Sequence, residues 1–488
     1  MGSISSAGLG SGLDVSSIIT QLMAVESTPL TLLQNQATEL NAKLSSFGKL
    51  QSNFSAMRDK ANALISPTLW TGTTAASSDT TVAKVSTSSS ASVGSYALEV
   101  SRLATSQTVT GSALASSSAT LSAGSLTIEL GTWTGGTEAN GWTASGFDAK
   151  AGASAVTIDI ADGATSLSAI RDKINAAGAG VVASIVNDAS GARLSIRSKD
   201  TGAENAFRIS ATEAVDDGDA ATGLSALAYD PLAGSAAMTR TTRAVNAEAT
   251  INGIAVSSSS NTLNNVIDGL TVTLQKTTAA NTPIQIDVTA DTTAMKTAIT
   301  DFVSAFNTVA SYIRTQTAYN ADSKTGGDLQ GDQGTLAIQN QLRAVLNQGS
   351  TASSTYSRLS DIGISMKSDG TLEVSTTKLD NALSGDLGEL KKLFSADGSD
   401  SESSGFVRRF KRLADAALGA EGTFETRTTS MKTSVTRNTK SQEAMELRLE
   451  QTEARLRKQY SALDTTMSKL NALGNYVTQQ VNNWNSSS

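Results

Sequence analysis

Two regions of helical apolar periodicity flank a middle of alternating, strand-like periodicity. At the N-terminal end apolar residues recur at Ile18, Ile19, Leu22 and Val25, and beyond Pro29 at Leu33, Ala37, Leu40, Leu44 and Phe47. The pattern shifts by one residue and resumes at Leu50, Phe54, Met57, Ala61 and Leu64. Spacings of three and four place these side chains on one helix face. Asp14 is positioned to cap the first turn, Pro29 to open a new helix or bend the first, and Ser66-Pro67 to end the run. At the other end residues 426–484 contain no proline, and Leu456, Tyr460, Leu463, Met467, Leu470, Gly474, Val477, Val481 and Trp484 keep a four-three spacing. That is a coiled-coil seam. A helix with such a stripe requires a partner, and the opposite end of the chain is the nearest candidate.

Between these regions the period changes to two. Strands are predicted at Thr80–Val85, Gly94–Val100, Leu126–Leu130, Ala155–Ile160, Val181–Asn187, Arg193–Ser198 and Phe207–Ser210. Leu167–Asn175 reads as one short helix, stopped by Gly178 and Gly180. Residues 211–240 read as an Ala/Asp/Gly-rich loop. Strands return at Ala249–Ile251, Ile254–Val256, Leu270–Gln275 and Ile284–Val288, with Asn252-Gly253 as a hairpin turn. Asn261–Ile267 is predicted as a short helix closed by Gly269. After Asp291 the pattern is helical again, broken by a hairpin predicted from Leu359–Ile364 and Asp369–Val374; a helix follows at Phe406–Leu418.

At 488 residues the chain is too long for one core, so several domains are expected. Cysteine and histidine are both absent. Thiol nucleophiles, disulfides and a Ser-His-Asp triad are therefore excluded, and the commonest metal ligand is missing. A net charge of −7 with no basic stripe argues against nucleic acid, and no 18-residue apolar run offers a membrane span. The Gly8–Gly12 stretch lacks the preceding strand and the Lys-Ser/Thr of a phosphate loop. It reads instead as a permissive terminus that orders on assembly through Leu9, Leu13 and Val15. Asp159, Asp162, Asp172, Asp188 and Asp200 supply oxygen ligands without the spacing of a calcium loop. Arg408, Arg409, Lys411 and Arg412 form the sharpest basic cluster, read as a solvated helix face or a charged protein contact.

Taken in order along the chain, several segments resemble one family, the flagellar hook-associated protein 2 or filament cap family. These are Gly8-Leu9-Gly10-Ser11-Gly12-Leu13-Asp14-Val15 running into Glu26-Ser27-Thr28-Pro29-Leu30, then Ile170-Arg171-Asp172-Lys173-Ile174-Asn175, Val181–Asp188 and Arg193–Lys199. Ile251-Asn252-Gly253, Asn261–Leu274, Asp301–Asn307, Leu329-Gln330-Gly331-Asp332 and Tyr460–Ser468 follow. The segment from Trp133 to Trp142 lies outside the resemblance. The resemblance implies a secreted, non-enzymatic protein at the distal tip of the bacterial flagellum, without cofactor or metal. It would form a ring homo-oligomer, commonly a pentamer, and promote flagellin folding and insertion. Its further partners would be hook–filament junction proteins and a flagellar export chaperone. The alternative from another class is a secreted adhesin with a β-rich display region.

The expected fold is multidomain α+β, with terminal α-helical coiled-coil arms and a helical-bundle domain carrying inserted β-rich domains. The expected parts are an N-terminal arm (1–45), a helical core with a β-hairpin (46–70 and 291–440), a β-rich inserted domain (71–115 and 240–290), an outer α+β domain (116–239) and a C-terminal arm (441–488) pairing with the first. The candidate assembly interface is the apolar stripe of both arms: Leu9, Leu13, Val15, Ile18, Leu22, Leu33, Leu40 and Leu44, with Leu456, Tyr460, Leu463, Met467, Leu470, Val477, Val481 and Trp484.

Overall fold

The computed structural model describes residues 14–88, 91–135, 144–233, 235–322 and 324–485. They form two compact units, one made of the chain up to Trp70 together with Thr292 onward, the other of Thr71–Asp291.

The first unit is helical. Its long elements are Thr28–Ile65, Thr292–Thr317 and Thr423–Asn485, with shorter helices at Val15–Glu26, Gln333–Asn347, Thr376–Leu383, Leu387–Ser395 and Phe406–Leu418. Thr28–Ile65 buries Phe47, Leu50, Phe54, Met57, Ala61 and Leu64, the face its three-four spacing dictates. That face packs on Thr292–Thr317, Phe406–Leu418 and the start of Thr423–Asn485. Aromatic rings fill the junctions. Phe424 lies 5.2 Å from Phe47 and 5.4 Å from Phe54, and Phe410 lies 5.4 Å from Phe302 and 5.7 Å from Phe306. Trp70 stacks on Phe394, and its indole N–H donates to the Leu64 carbonyl at 2.8 Å.

The hairpin of this unit is shorter than predicted. Ile364–Met366 pairs with Leu372–Val374, whereas Leu359–Ile362 is a 3₁₀ turn that buries Leu359 and Ile362. The Asn307 side chain clamps Leu372, donating to its carbonyl at 2.8 Å and accepting from its N–H at 2.6 Å.

Asp332 caps the Gln333–Asn347 helix, accepting from the Thr335 N–H at 2.9 Å, and pairs with Arg427 of the C-terminal helix at 2.8 Å through Nε. Burial alone would raise its pKa, but the Thr335 N–H and the Arg427 guanidinium outweigh burial and hold the carboxyl below the usual value of 3.8. A depressed carboxylate contributes stability that is present above pH 3.8 and is lost as pH falls through the native pKa below it. Asp332→Asn is therefore expected to cost about 1–3 kcal/mol at pH 7, with the gap to the parent narrowing under acid. Urea denaturation at pH 7 and pH 3 checks this; a gap that widened in acid would refute it.

The second unit is built from antiparallel strands around two cores. In the first core a five-stranded sheet runs in the order Thr73–Ser77, Ile284–Ala290, Gly94–Arg102, Ala247–Ile251, Ile254–Ser258. A three-stranded sheet of Thr262–Ile267, Leu270–Leu274 and Ala83–Thr87 accompanies it. Leu98, Val100, Ile286, Val288, Val272 and Leu274 meet between them. The alternation is direct: Leu270, Val272 and Leu274 are buried while Thr271 and Thr273 are not. At the predicted turn Asn252 and Gly253 take φ of 48° and 80°, the left-handed pair that a two-residue hairpin requires.

The Asn261–Ile267 segment is not a helix. Thr262–Ile267 is a strand paired with Leu270–Leu274 around Asp268-Gly269, with Gly269 at φ 73°. Val266 and Ile267 are β-branched and stand directly before an Asp-Gly turn, so strand propensity and turn chemistry agree.

In the second core Gly124–Thr134 is the central strand, flanked by Ala206–Glu213 on one side and by Val156–Ile160 and Gly146–Ala149 on the other. A four-stranded sheet, Thr239–Thr242, Thr108–Thr110, Gly191–Ser198, Val181–Asp188, completes it. The helix Leu167–Ala176 buries Leu167, Ile170 and Ile174 here, capped by Ser166, which accepts from the Ala169 N–H at 3.2 Å. The predicted 211–240 loop contributes to this core. Leu224, Leu227, Tyr229 and Met238 are buried, and Thr239–Thr242 is a strand.

Candidate functional site

The candidate site lies on the two terminal arms of the first unit. Asp14 caps the Val15–Glu26 helix by accepting from the Ser17 N–H at 3.0 Å, and Ser27 with Pro29 separates that helix from Thr28–Ile65. Both helices pack on Thr423–Asn485. The long pair is antiparallel, since Phe47 and Phe54 lie on Phe424 while Gln36, nearer the N-terminus, lies on Asn438.

Leu9 and Leu13 lie outside the described residues. Val15 is buried, Ile18 half-buried and Leu22 exposed; Leu33, Leu40 and Leu44 are half-buried along the helix pair. Leu456, Tyr460 and Met467 are half-buried. Leu463, Leu470, Val477, Val481 and Trp484 are exposed, from 46% at Leu463 to 80% at Trp484. The inner part of the seam is therefore covered within one chain, and the outer part faces solvent. Leu473 and Tyr476 are exposed beside it, as are Leu32 and Val25 on the N-terminal helices. Leu473 and Tyr476 stand one residue before Gly474 and Val477, so they widen the seam into a stripe. Such a run of exposed apolar side chains is uncommon on the surface of a single chain.

The other candidates resolve into structural roles. Arg409 of the basic cluster is buried, and its guanidinium donates to the carbonyls of Ser404, Gln348 and Gly349 at 3.2, 3.0 and 3.1 Å while lying over the Phe406 ring. Arg412 pairs with Asp397 at 2.6 Å, Lys411 pairs with Asp415, and Arg408 reaches the Ser395 carbonyl. Arg409 and Arg412 thus join chain segments within the unit, whereas Lys411 pairs along its own helix and Arg412 stays exposed. Arg409→Met is expected to cost about 1–3 kcal/mol. Arg409→Lys is expected not to rescue it, because a point charge cannot serve three separated carbonyls. Equilibrium denaturation decides, and two variants both as stable as the parent would overturn this role.

Among the described residues no group of three or more Asp or Glu is placed to hold a metal ion. Asp188 instead accepts from Arg193 at 2.8 Å and from the Ser190 N–H at 2.7 Å, and Asp172 pairs with Arg171. No described helix is long and apolar enough to cross a membrane.

Three family models match. The flagellar hook-associated protein 2 N-terminus covers residues 11–107, the flagellin hook IN motif residues 144–200, and the flagellar hook-associated protein 2 C-terminus residues 244–472. Flagellar hook-associated protein 2 of Escherichia coli K12 is 35% identical over 99% of both chains. Its Salmonella typhimurium counterpart is 30% identical over 100% of both. Among solved structures, the D1-D2-D3 domains of the flagellar cap protein FliD from Escherichia coli match with a TM-score of 0.58 at 31% identity, covering 79% of this chain and 99% of that one. The chain belongs to the flagellar hook-associated protein 2 family.

Proposed function

We infer that the chain is a non-catalytic cap at the distal end of the bacterial flagellar filament, where it promotes flagellin folding and polymerisation and prevents the loss of arriving monomers. The observation that carries this is kinship along the whole chain with the Escherichia coli relative, joined to the fold it shares with a solved flagellar cap protein. The protein acts outside the cell as part of the flagellum, at the filament tip.

The finer reading is that copies assemble as a ring, five by family resemblance, through the apolar stripes of the arms. The exposed stripe from Leu463 to Trp484 supports it, because each large apolar side chain buried in an assembly contributes about 1.5–3 kcal/mol. Hook–filament junction proteins and an export chaperone are the further partners. A chain without cysteine travels unfolded through a secretion channel with no risk of cross-linking. The division into arms (1–45 and 441–488), a helical core (46–70 and 291–440) and two β-rich parts (71–115 with 240–290, and 116–239) belongs to this proposal. Complementing a strain deleted for its own cap protein, then measuring swimming and filament length, is the direct test. A folded, secreted protein that restored neither would sink the reading.

A further inference from the structure

Within the antiparallel helix pair, the inward positions of Thr423–Asn485 step through Met431, Val435, Asn438, Gln442, Met445 and Leu449. Two successive positions carry amides where those on either side are apolar. Asn438 is only 8% exposed. Its Nδ2 donates to Gln36 Oε1 at 3.5 Å, and its Oδ1 accepts from Gln442 Nε2 at 2.5 Å. The same Nε2 reaches the Leu33 carbonyl at 3.4 Å. Three side-chain amides from two helices thus form one polar layer across an otherwise apolar seam.

An amide at a seam position weakens a helix pair relative to leucine, yet it singles out one register. After a slip the Asn438–Gln442 bond within the helix survives, but the Asn438 Nδ2–H loses Gln36 and is left buried without an acceptor. A slip of one heptad would carry Asn438 from Gln36 to the level of Pro29 in one direction or Lys43 in the other, and neither side chain offers an acceptor. Beyond the Phe47–Phe54–Phe424 junction the leucines along both helices do not discriminate in this way, because leucine packs acceptably on leucine after a slip of one heptad.

We propose that the Gln36–Asn438–Gln442 layer is the register lock of the two long helices, and that it thereby sets how far the C-terminal arm projects. One heptad of slip moves the Leu463–Trp484 stripe by about 10 Å along the helix axis. A cap subunit whose arm varied in reach by that distance could not present the same contacts as its neighbours. The register claim stands on the helix pair alone; its consequence for capping rests on the function inferred above.

The absence of cysteine makes the test clean. Thr31→Cys and Lys458→Cys place nitroxide labels on exposed positions about 20 Å apart along the axis of the pair, so that an axial slip changes their separation by nearly its full amount. Pulsed electron resonance on the full-length protein should give one narrow distance. In the Asn438→Leu, Gln442→Leu background the helix pair should melt at a higher temperature, and the distance distribution should broaden or split by about 10 Å. Exchanging the amide lengths, Gln36→Asn with Asn438→Gln, keeps every donor and acceptor and should keep one distance. A single unchanged distance in the double-leucine variant overturns the proposal, whatever its stability. So does splitting in the exchanged-amide variant. Split registers combined with normal filament growth would leave the lock standing and remove the arm from the capping mechanism, so the two readings fail separately.

Discussion

A strain whose only copy of the protein carries Leu463→Asp and Leu470→Asp is expected to secrete flagellin monomers and build short filaments or none, while the variant itself stays folded. Both leucines are more than 45% exposed in the single chain and lie outside the buried core. Exposed substitutions of this kind usually change stability by less than about 0.5 kcal/mol. In an assembly the same positions become costly. Each leucine forfeits about 1.5–3 kcal/mol of burial, and each aspartate adds a carboxylate that a buried apolar contact cannot solvate. Removing residues 1–17 is expected to act in the same direction. The competing account is that the arms serve export only. Adding purified protein to capless cells from outside bypasses export. If arm-deleted protein restores growth as well as the intact protein does, the arms are export elements and the assembly reading fails.

The division of labour between internal and external use of the stripe was not legible from periodicity. Four-three spacing shows that a helix face needs cover, and it says nothing about who supplies it. The face from Phe47 to Leu64 and the face from Leu463 to Trp484 have the same spacing, yet the first is buried within the chain and the second is open. What separates them is register and length. The N-terminal helices meet the C-terminal helix from Phe424 outward, and the stripe beyond Tyr460 is mostly exposed. The amide layer is hidden from periodicity for a related reason. Asn438 and Gln442 look like surface residues when apolar positions alone are counted, although they continue the seam.

Elements whose local chemistry and periodicity agree were legible. Asn252-Gly253 between alternating strands could only be a hairpin, and Phe406–Leu418 carries one apolar face ending at Gly419. Where the two disagreed, packing decided. The Asn261-Thr262 start of this segment signals a helix, but the β-branched end of Thr262–Ile267 and the Asp268-Gly269 turn make a strand. Composition misled at 211–240, where sparse Leu224, Leu227 and Tyr229 anchor a core that Ala, Asp and Gly conceal. Arg409 shows the limit of charge counting. A run of cations implies solvent, but a guanidinium surrounded by backbone carbonyls is satisfied inside.

Phe424→Ala is expected to give the largest loss of stability in the first unit. The ring is fully buried at the point where the C-terminal helix begins, against Phe47 and Phe54 of the N-terminal helix. Truncation removes its transfer free energy, opens a cavity and breaks both ring contacts, at a cost of about 3–5 kcal/mol. The surroundings have little capacity to collapse, because Phe47, Phe54 and Leu50 are held on one continuous helix with no exposure of their own. The effect should also be confined. Thr71–Asp291 has its own cores, so scanning calorimetry should show one transition falling in temperature and another staying in place. Expression of residues 71–291 alone should reproduce the stationary transition. If the two transitions fall together, the units unfold as one and the fragment will not fold by itself. If neither moves, the aromatic junction does not hold the ends of the chain together, and the arms must owe their placement to the polar layer and the assembly.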